Sequence, residues 1–209
     1  MLKKILYPLV LIALIAYSNA HPSSIKQLDI DQLISQSELV FKGQVVDIQT
    51  NWNTAKTEIF TQISFRVDDI ISGTLDSNNL TLSFVGGTVN GETVIIEGSA
   101  MPEINERGIY FVSSTKQQLV NPLVGWAQGH YITQKDQLGV ERLMTQSKNP
   151  IESIDINLKK RNYLSKGSVT GVKKVSSGHI NQAMSVESFK SLIQGRVKAL
   201  KQKKYSEGK

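Results

Sequence analysis

Between residues 38 and 133 apolar and polar positions alternate with a period of two, the spacing of strands that bury one face. The clearest stretch is residues 56–71, where Ile59, Thr61, Ile63, Phe65 and Val67 share one side and Phe60, Gln62, Ser64, Arg66 and Asp68 take the other. Residues 38–50 alternate in the same way around Gly43, so a long first strand is expected to bend or bulge there. Leu80, Leu82 and Phe84 mark a third strand, and Asn90-Gly91, the dipeptide of a type I′ turn, predicts a hairpin that returns over residues 93–97. A fifth strand is expected at residues 109–113, with short ones at 118–120 and 130–133. The pattern predicts a mainly β protein whose antiparallel sheet curls into a closed barrel.

Helical spacing is confined to the flanks. Ile30, Leu33 and Ile34 follow Asp29 and Asp31, either of which can cap a short helix. Val186, Phe189, Leu192, Ile193, Val197 and Leu200 fall on one side of a C-terminal amphipathic helix whose other side is rich in Lys and Gln. Such a helix packs on its own domain, fills a partner's groove or lies on a membrane surface. At the other end, Lys3 and Lys4 precede an apolar run over residues 5–16 and then Ser18-Asn19-Ala20, the layout of an export signal cleaved after Ala20. That run is shorter than the roughly 20 residues that span a bilayer. The expected organisation is a signal at 1–20, a β-barrel domain at 21–150, a basic linker at 151–184, the helix at 185–204 and a tail at 205–209. The expected location is the periplasm or the medium.

Composition narrows the chemistry. The chain has 209 residues, 40% hydrophobic and 20% charged, and no Cys. Disulfides, thiolate metal sites and thiol nucleophiles are thereby excluded. The net charge of +6 conceals a division. Residues 21–158 carry nine basic and sixteen acidic side chains, whereas residues 159–209 carry thirteen basic ones and only Glu187 and Glu207. A basic C-terminal arm suits electrostatic docking on an acidic protein or an anionic membrane surface. The acidic β region opposes phosphate, so nucleic acid is not an expected partner.

The succession Glu38-Leu39-Val40-Phe41-Lys42-Gly43-Gln44-Val45, a long second strand ending in Val67-Asp68-Asp69-Ile70-Ile71-Ser72-Gly73, Leu80-Thr81-Leu82-Ser83-Phe84, Gly86-Gly87 and Gly108-Ile109-Tyr110-Phe111-Val112 resembles the β-barrel domain of exported bacterial proteins of unknown function. That layout is similar to the netrin-like, oligonucleotide/oligosaccharide-binding (OB) type of barrel found in tissue inhibitors of metalloproteases. The resemblance covers roughly residues 28–133, with residues 185–197 similar to a closing helix. It implies an OB-like or netrin-like barrel acting as a non-enzymatic binding or regulatory module that contacts a protein or an envelope component. Those inhibitors chelate zinc through an N-terminal Cys; position 21 here is His.

Residue chemistry gives the candidates. Cleavage after Ala20 makes His21 the first residue, whose α-amine and imidazole together suit Cu or Zn, so an exported metal-binding protein or enzyme is the alternative. His130 and His179 are the remaining imidazoles, and no H-E-x-x-H pair exists. Ser113-Ser114-Thr115-Lys116 has S-x-x-K spacing but ends a strand instead of starting a helix. Gly86-Gly87-Thr88-Val89-Asn90-Gly91 lacks the Lys of a phosphate loop. Glu97, Glu103 and Glu106 gather near one expected loop, where paired carboxylates would serve acid–base chemistry. Ligand contact is assigned to Trp52, in the first hairpin turn, and to Trp126, His130 and Tyr131 in the segment Gly125-Trp126-Ala127-Gln128-Gly129-His130-Tyr131. Aromatic side chains beside barrel loops stack on bases or sugars.

Overall fold

In the computed structural model, which describes residues 25–158, 164–176 and 179–207, the chain forms ten strands, seven of which begin within the alternating region. They are β1 (Leu39–Trp52), β2 (Ile59–Ser72), β3 (Asn79–Val85), β4 (Gly87–Val89), β5 (Glu92–Val94), β6 (Arg107–Val112), β7 (His130–Lys135), β8 (Glu141–Thr145), β9 (Ile151–Ile154) and β10 (Val172–Lys174). Six of them form one antiparallel sheet in the order β3-β2-β1-β6-β7-β8, while β4 pairs with β5 and β9 with β10. Among the described residues two α-helices flank them, α1 (Ile30–Ser35) and α2 (Val186–Glu207).

The length of β1 organises the sheet. Val40 to Trp52 pair with β2 around a bulge at Val46, and the first six residues, Leu39 to Gln44, pair with β6, so one strand belongs to both halves of the curl. Register shifts at Val40/Phe41, Lys42/Gly43 and Val45/Asp47 supply the bending. Gly43 is required there, because a Cβ would stand 2.6 Å from the Arg66 carbonyl oxygen. Alternation then gives each face its own core. Leu39, Phe41, Phe65, Leu82, Phe84 and Tyr110 fill the inside of the curl. Val40, Ile109, Phe111, Tyr131 and Leu143 face α1 and α2 on the outside.

Both helices sit where the capping and periodicity place them. Asp29 closes a capping box with Gln32 at the start of α1. The first half of α2 buries Val186, Phe189 and Ile193, with the Phe189 ring 5.0 Å from Tyr131 and 6.2 Å from Phe111. Arg196 donates twice to Asp31 of α1, and Lys190 pairs with Asp69 of β2. The helix therefore packs on its own domain up to about Leu200, and residues 201–207 are exposed. Among the described residues no helix is long and apolar enough to cross a membrane.

Three expectations change. The sheet does not close into a barrel: β3 remains an outer strand, and the 113–122 segment that could seal it reaches it through one main-chain bond, Val85 N–H to the Val120 carbonyl at 2.9 Å. The Ser114 hydroxyl accepts from the Lys116 and Gln117 amides and turns this segment, and Pro122 has no N–H to offer, so residues 118–120 form no strand. Residues 151–158 and 164–176, read as part of a linker, contribute β9 and β10 and bury Ile151, Ile154 and Val169 in the outer core. The Ala20 cleavage site and His21 lie outside the described residues.

A candidate ligand-binding groove

Where the curl stays open, a groove of about 460 Å³ runs between β3 and residues 114–118. Thr81, Leu82 and Ser83 line it from β3, Thr115, Lys116, Gln117 and Gln118 from the opposite wall, and Asn51, Trp52, Phe60 and Gln62 from β1 and β2. Lys116 is the single charged residue in this lining. The remaining polar groups are neutral amides and hydroxyls, with two half-buried aromatic rings, Trp52 and Phe60. Such a surface donates and accepts hydrogen bonds without a fixed charge pattern and offers flat apolar contact.

Local chemistry fixes each wall. Asn53 holds the β1–β2 turn: its side-chain oxygen accepts from the Thr57 amide at 2.9 Å, and its own amide donates to the Glu58 carbonyl at 2.8 Å. That keeps Trp52 at the rim. At the far end of β3, the Thr61 hydroxyl donates to the Gly86 carbonyl at 2.7 Å, and the chain leaves through Gly87 at φ 124°. A Cβ on Gly87 would lie 2.3 Å from the Thr61 hydroxyl oxygen. Across the groove, the Glu38 carboxylate accepts from both the amide and the hydroxyl of Thr115. The Thr115 hydroxyl bond holds the Glu38 carboxyl below its ordinary pKa. Ser113 N–H donates to the Pro122 carbonyl at 2.8 Å, so the wall is tied at both ends.

The main chain of β3 adds a second feature. Gly86 N–H bonds the Ile59 carbonyl and Val67 N–H the Asn78 carbonyl, which makes 61↔84, 63↔82 and 65↔80 the mutually hydrogen-bonded pairs of the β2–β3 ladder. Leu80, Leu82 and Phe84 thus turn their main-chain groups toward β2. Thr81, Ser83 and Val85 turn theirs outward. The Val85 N–H is taken by Val120, whereas no hydrogen bond outside the ladder reaches the Thr81 or Ser83 main chain among the described residues.

The four residues assigned to ligand contact are not brought together. Trp52 lines the groove. Trp126, at φ 57°, lines a separate hollow with Ile25 and Val120. Tyr131 and His130 are each 1% exposed, Tyr131 beneath α2 and His130 inside the curl. There the Glu106 carboxyl oxygen meets His130 Nε2 at 2.6 Å and accepts from the Tyr110 hydroxyl at 3.0 Å. Burial, with the Glu106 charge second, pushes the Tyr110 phenol well above its ordinary pKa, and burial alone raises Tyr131. The three expected carboxylates also part: Glu106 is buried with His130, Glu103 pairs with Lys148 at the surface, and Glu97 lines another hollow. Among the described residues no group of three or more His, Asp or Glu could hold a metal ion.

Phe60, Gln62 and residues 115–118 were not assigned to ligand contact from the sequence; Thr115 and Lys116 entered it only through the S-x-x-K spacing. A signal for Phe60 existed, because it is the one aromatic ring on the polar face of the second strand. Comparison with protein families, with curated proteins and with solved structures finds no match to this chain.

Proposed function

We propose that this protein is an exported, non-enzymatic binding module whose ligand, a partner protein or envelope component, enters the groove beside β3. The observation that carries the proposal is the lining: neutral hydrogen-bonding groups around Trp52 and Phe60, on walls held by Asn53 and Glu38, with no carboxylate or imidazole among them for proton transfer. Export is supported by the Lys3-Lys4 start, the apolar run and Ser18-Asn19-Ala20. The basic end of α2, with Lys201, Lys203 and Lys204 exposed, supports electrostatic docking on an anionic envelope surface. The bulged β1 shared between two halves of the curl is compatible with an open variant of the OB-like or netrin-like architecture.

Affinity capture from a bacterial envelope extract tests the proposal, using the wild type beside a Trp52→Ala/Phe60→Ala variant of unchanged circular dichroism. Components retained by the wild type and lost by the variant are expected. Equal capture by both proteins would remove the groove from the account.

A further inference from the structure

The two edges of the main sheet are treated differently. The β8 edge is covered: Leu143 N–H bonds the Met184 carbonyl, and Arg142 and Met144 form bridges with Ser185 and Pro150. Arg142 also donates to the Ala183 carbonyl at 2.9 Å, which fastens that cover. The β3 edge, Asn79-Leu80-Thr81-Leu82-Ser83-Phe84-Val85, carries no Pro and no charged residue, and its pairing with β2 has no register shift. Sheets normally blunt a free edge with one of those devices, because an unpaired row of N–H and C=O groups is a template for another strand.

We infer that the β3 edge is a strand-addition site, and that the occupant of the groove is a single extended peptide segment of a partner protein. The inference rests on the groove being the binding site and specifies how it binds. Thr81 and Ser83 each offer an N–H and a C=O to the groove, two residues apart, the repeat an added strand matches. Where the 113–122 segment takes one of these outward groups, at Val85, it does so through a main-chain carbonyl, so the edge is already used for strand-like pairing at its end. The facing wall selects one chain over a second copy of this protein. Thr115, Lys116 and Gln117 stand across from β3, and another copy's β3 would arrive with its own wall against this one. Lys116, with no carboxylate in the lining, favours a peptide with an acidic side chain at one position. Trp52 and Phe60 take an apolar or aromatic side chain next along the segment.

Random seven-residue peptides displayed on phage, panned against the full mature chain, supply the probe. The enriched peptide is then synthesised unmodified, N-methylated at odd positions and N-methylated at even positions. An added strand turns alternate amides toward β3, so one methylated form is expected to lose at least about tenfold in affinity while the other binds like the parent. Ser83→Pro deletes an outward N–H without removing a ladder bond, and the same loss is expected with an unchanged melting temperature. Equal binding by all three peptides overturns strand addition. If that peptide still fails to bind Trp52→Ala/Phe60→Ala, the groove survives as the site and only the mode falls. Binding that ignores the groove variant as well overturns both. No enriched peptide, with chitin oligosaccharides bound by the wild type and not by the groove variant, overturns the peptide as occupant and leaves the groove standing.

Discussion

His130 and Glu106 show what a buried polar pair does in a curl this tight. Their side chains are 1% and 8% exposed, and the pair sits beside Tyr110, whose ring stacks in turn near Phe41 and Phe65 at 5.2 and 4.8 Å. His130→Ala leaves the Glu106 carboxyl buried with only the Tyr110 hydroxyl, and a loss of about 3–5 kcal/mol in urea unfolding is expected. Tyr110→Phe keeps the ring and removes one hydrogen bond, so a smaller loss of about 1–2 kcal/mol is expected. Equal effects of the two substitutions would mean that the pair is not what holds this corner. Asp136 gives a pH dependence. Its carboxyl accepts from Arg142 at 2.8 Å and from the Val140 and Leu138 amides, and the Arg142 bond, ahead of those amides, lowers its pKa. A carboxyl lowered on folding adds stability that is present above its unfolded pKa of about 3.9 and is lost as pH falls through the folded value. Asp136→Asn is therefore expected to flatten the acid limb of a stability–pH curve below about pH 4 and to leave the slope at neutral pH unchanged.

At the scale of elements, α2 is both a packing element and a projecting one. Phe189→Ala empties the space between Phe111 and Tyr131 and is expected to cost about 3–5 kcal/mol, read as a melting temperature lowered by about 10 °C. Changes beyond Leu200 touch nothing in the core, so Lys201→Glu/Lys203→Glu/Lys204→Glu is expected to keep the melting temperature within about 1 °C. The same triple variant is expected to lose sedimentation with phosphatidylglycerol vesicles at low salt. Undiminished sedimentation would remove the arm as an electrostatic dock.

How far these elements were legible in the sequence follows from what each depends on. The long second strand, the bulge at Gly43, the Asn90-Gly91 hairpin and a capped start of α1 rest on neighbours in the chain, and the structure has all four, with Asp29 and not Asp31 as the cap and a hairpin return that ends at Val94. β8, β9 and β10 were missed because short strands of three to five residues acquire their pairing from distant segments. His130 and Tyr131 look like surface groups in a polar segment. They are buried because β7 is an inner strand with Tyr110 on one side and α2 on the other.

For the whole molecule, the decisive departure from expectation is the seam. Alternation specifies which side chains face inward, and it did so along β1, β2, β3 and β6. It does not specify whether the last strand finds the first, since closure depends on how a distant segment turns. Here Ser114, Thr115 and Pro122 turn that segment away after one bond to Val85, and the groove is the space left. The acidic β region and the basic end of α2 thus divide the charge of the molecule between its two parts.

Residue-resolved amide hydrogen exchange of the free protein tests the open seam most directly. With an open seam, the Thr81 and Ser83 amides exchange rapidly while Leu80, Leu82 and Phe84, bonded to β2, are protected, with Val85 protected through Val120. Slow exchange at Thr81 and Ser83, matching their neighbours, would mean that the β3 edge is already paired and the seam closed.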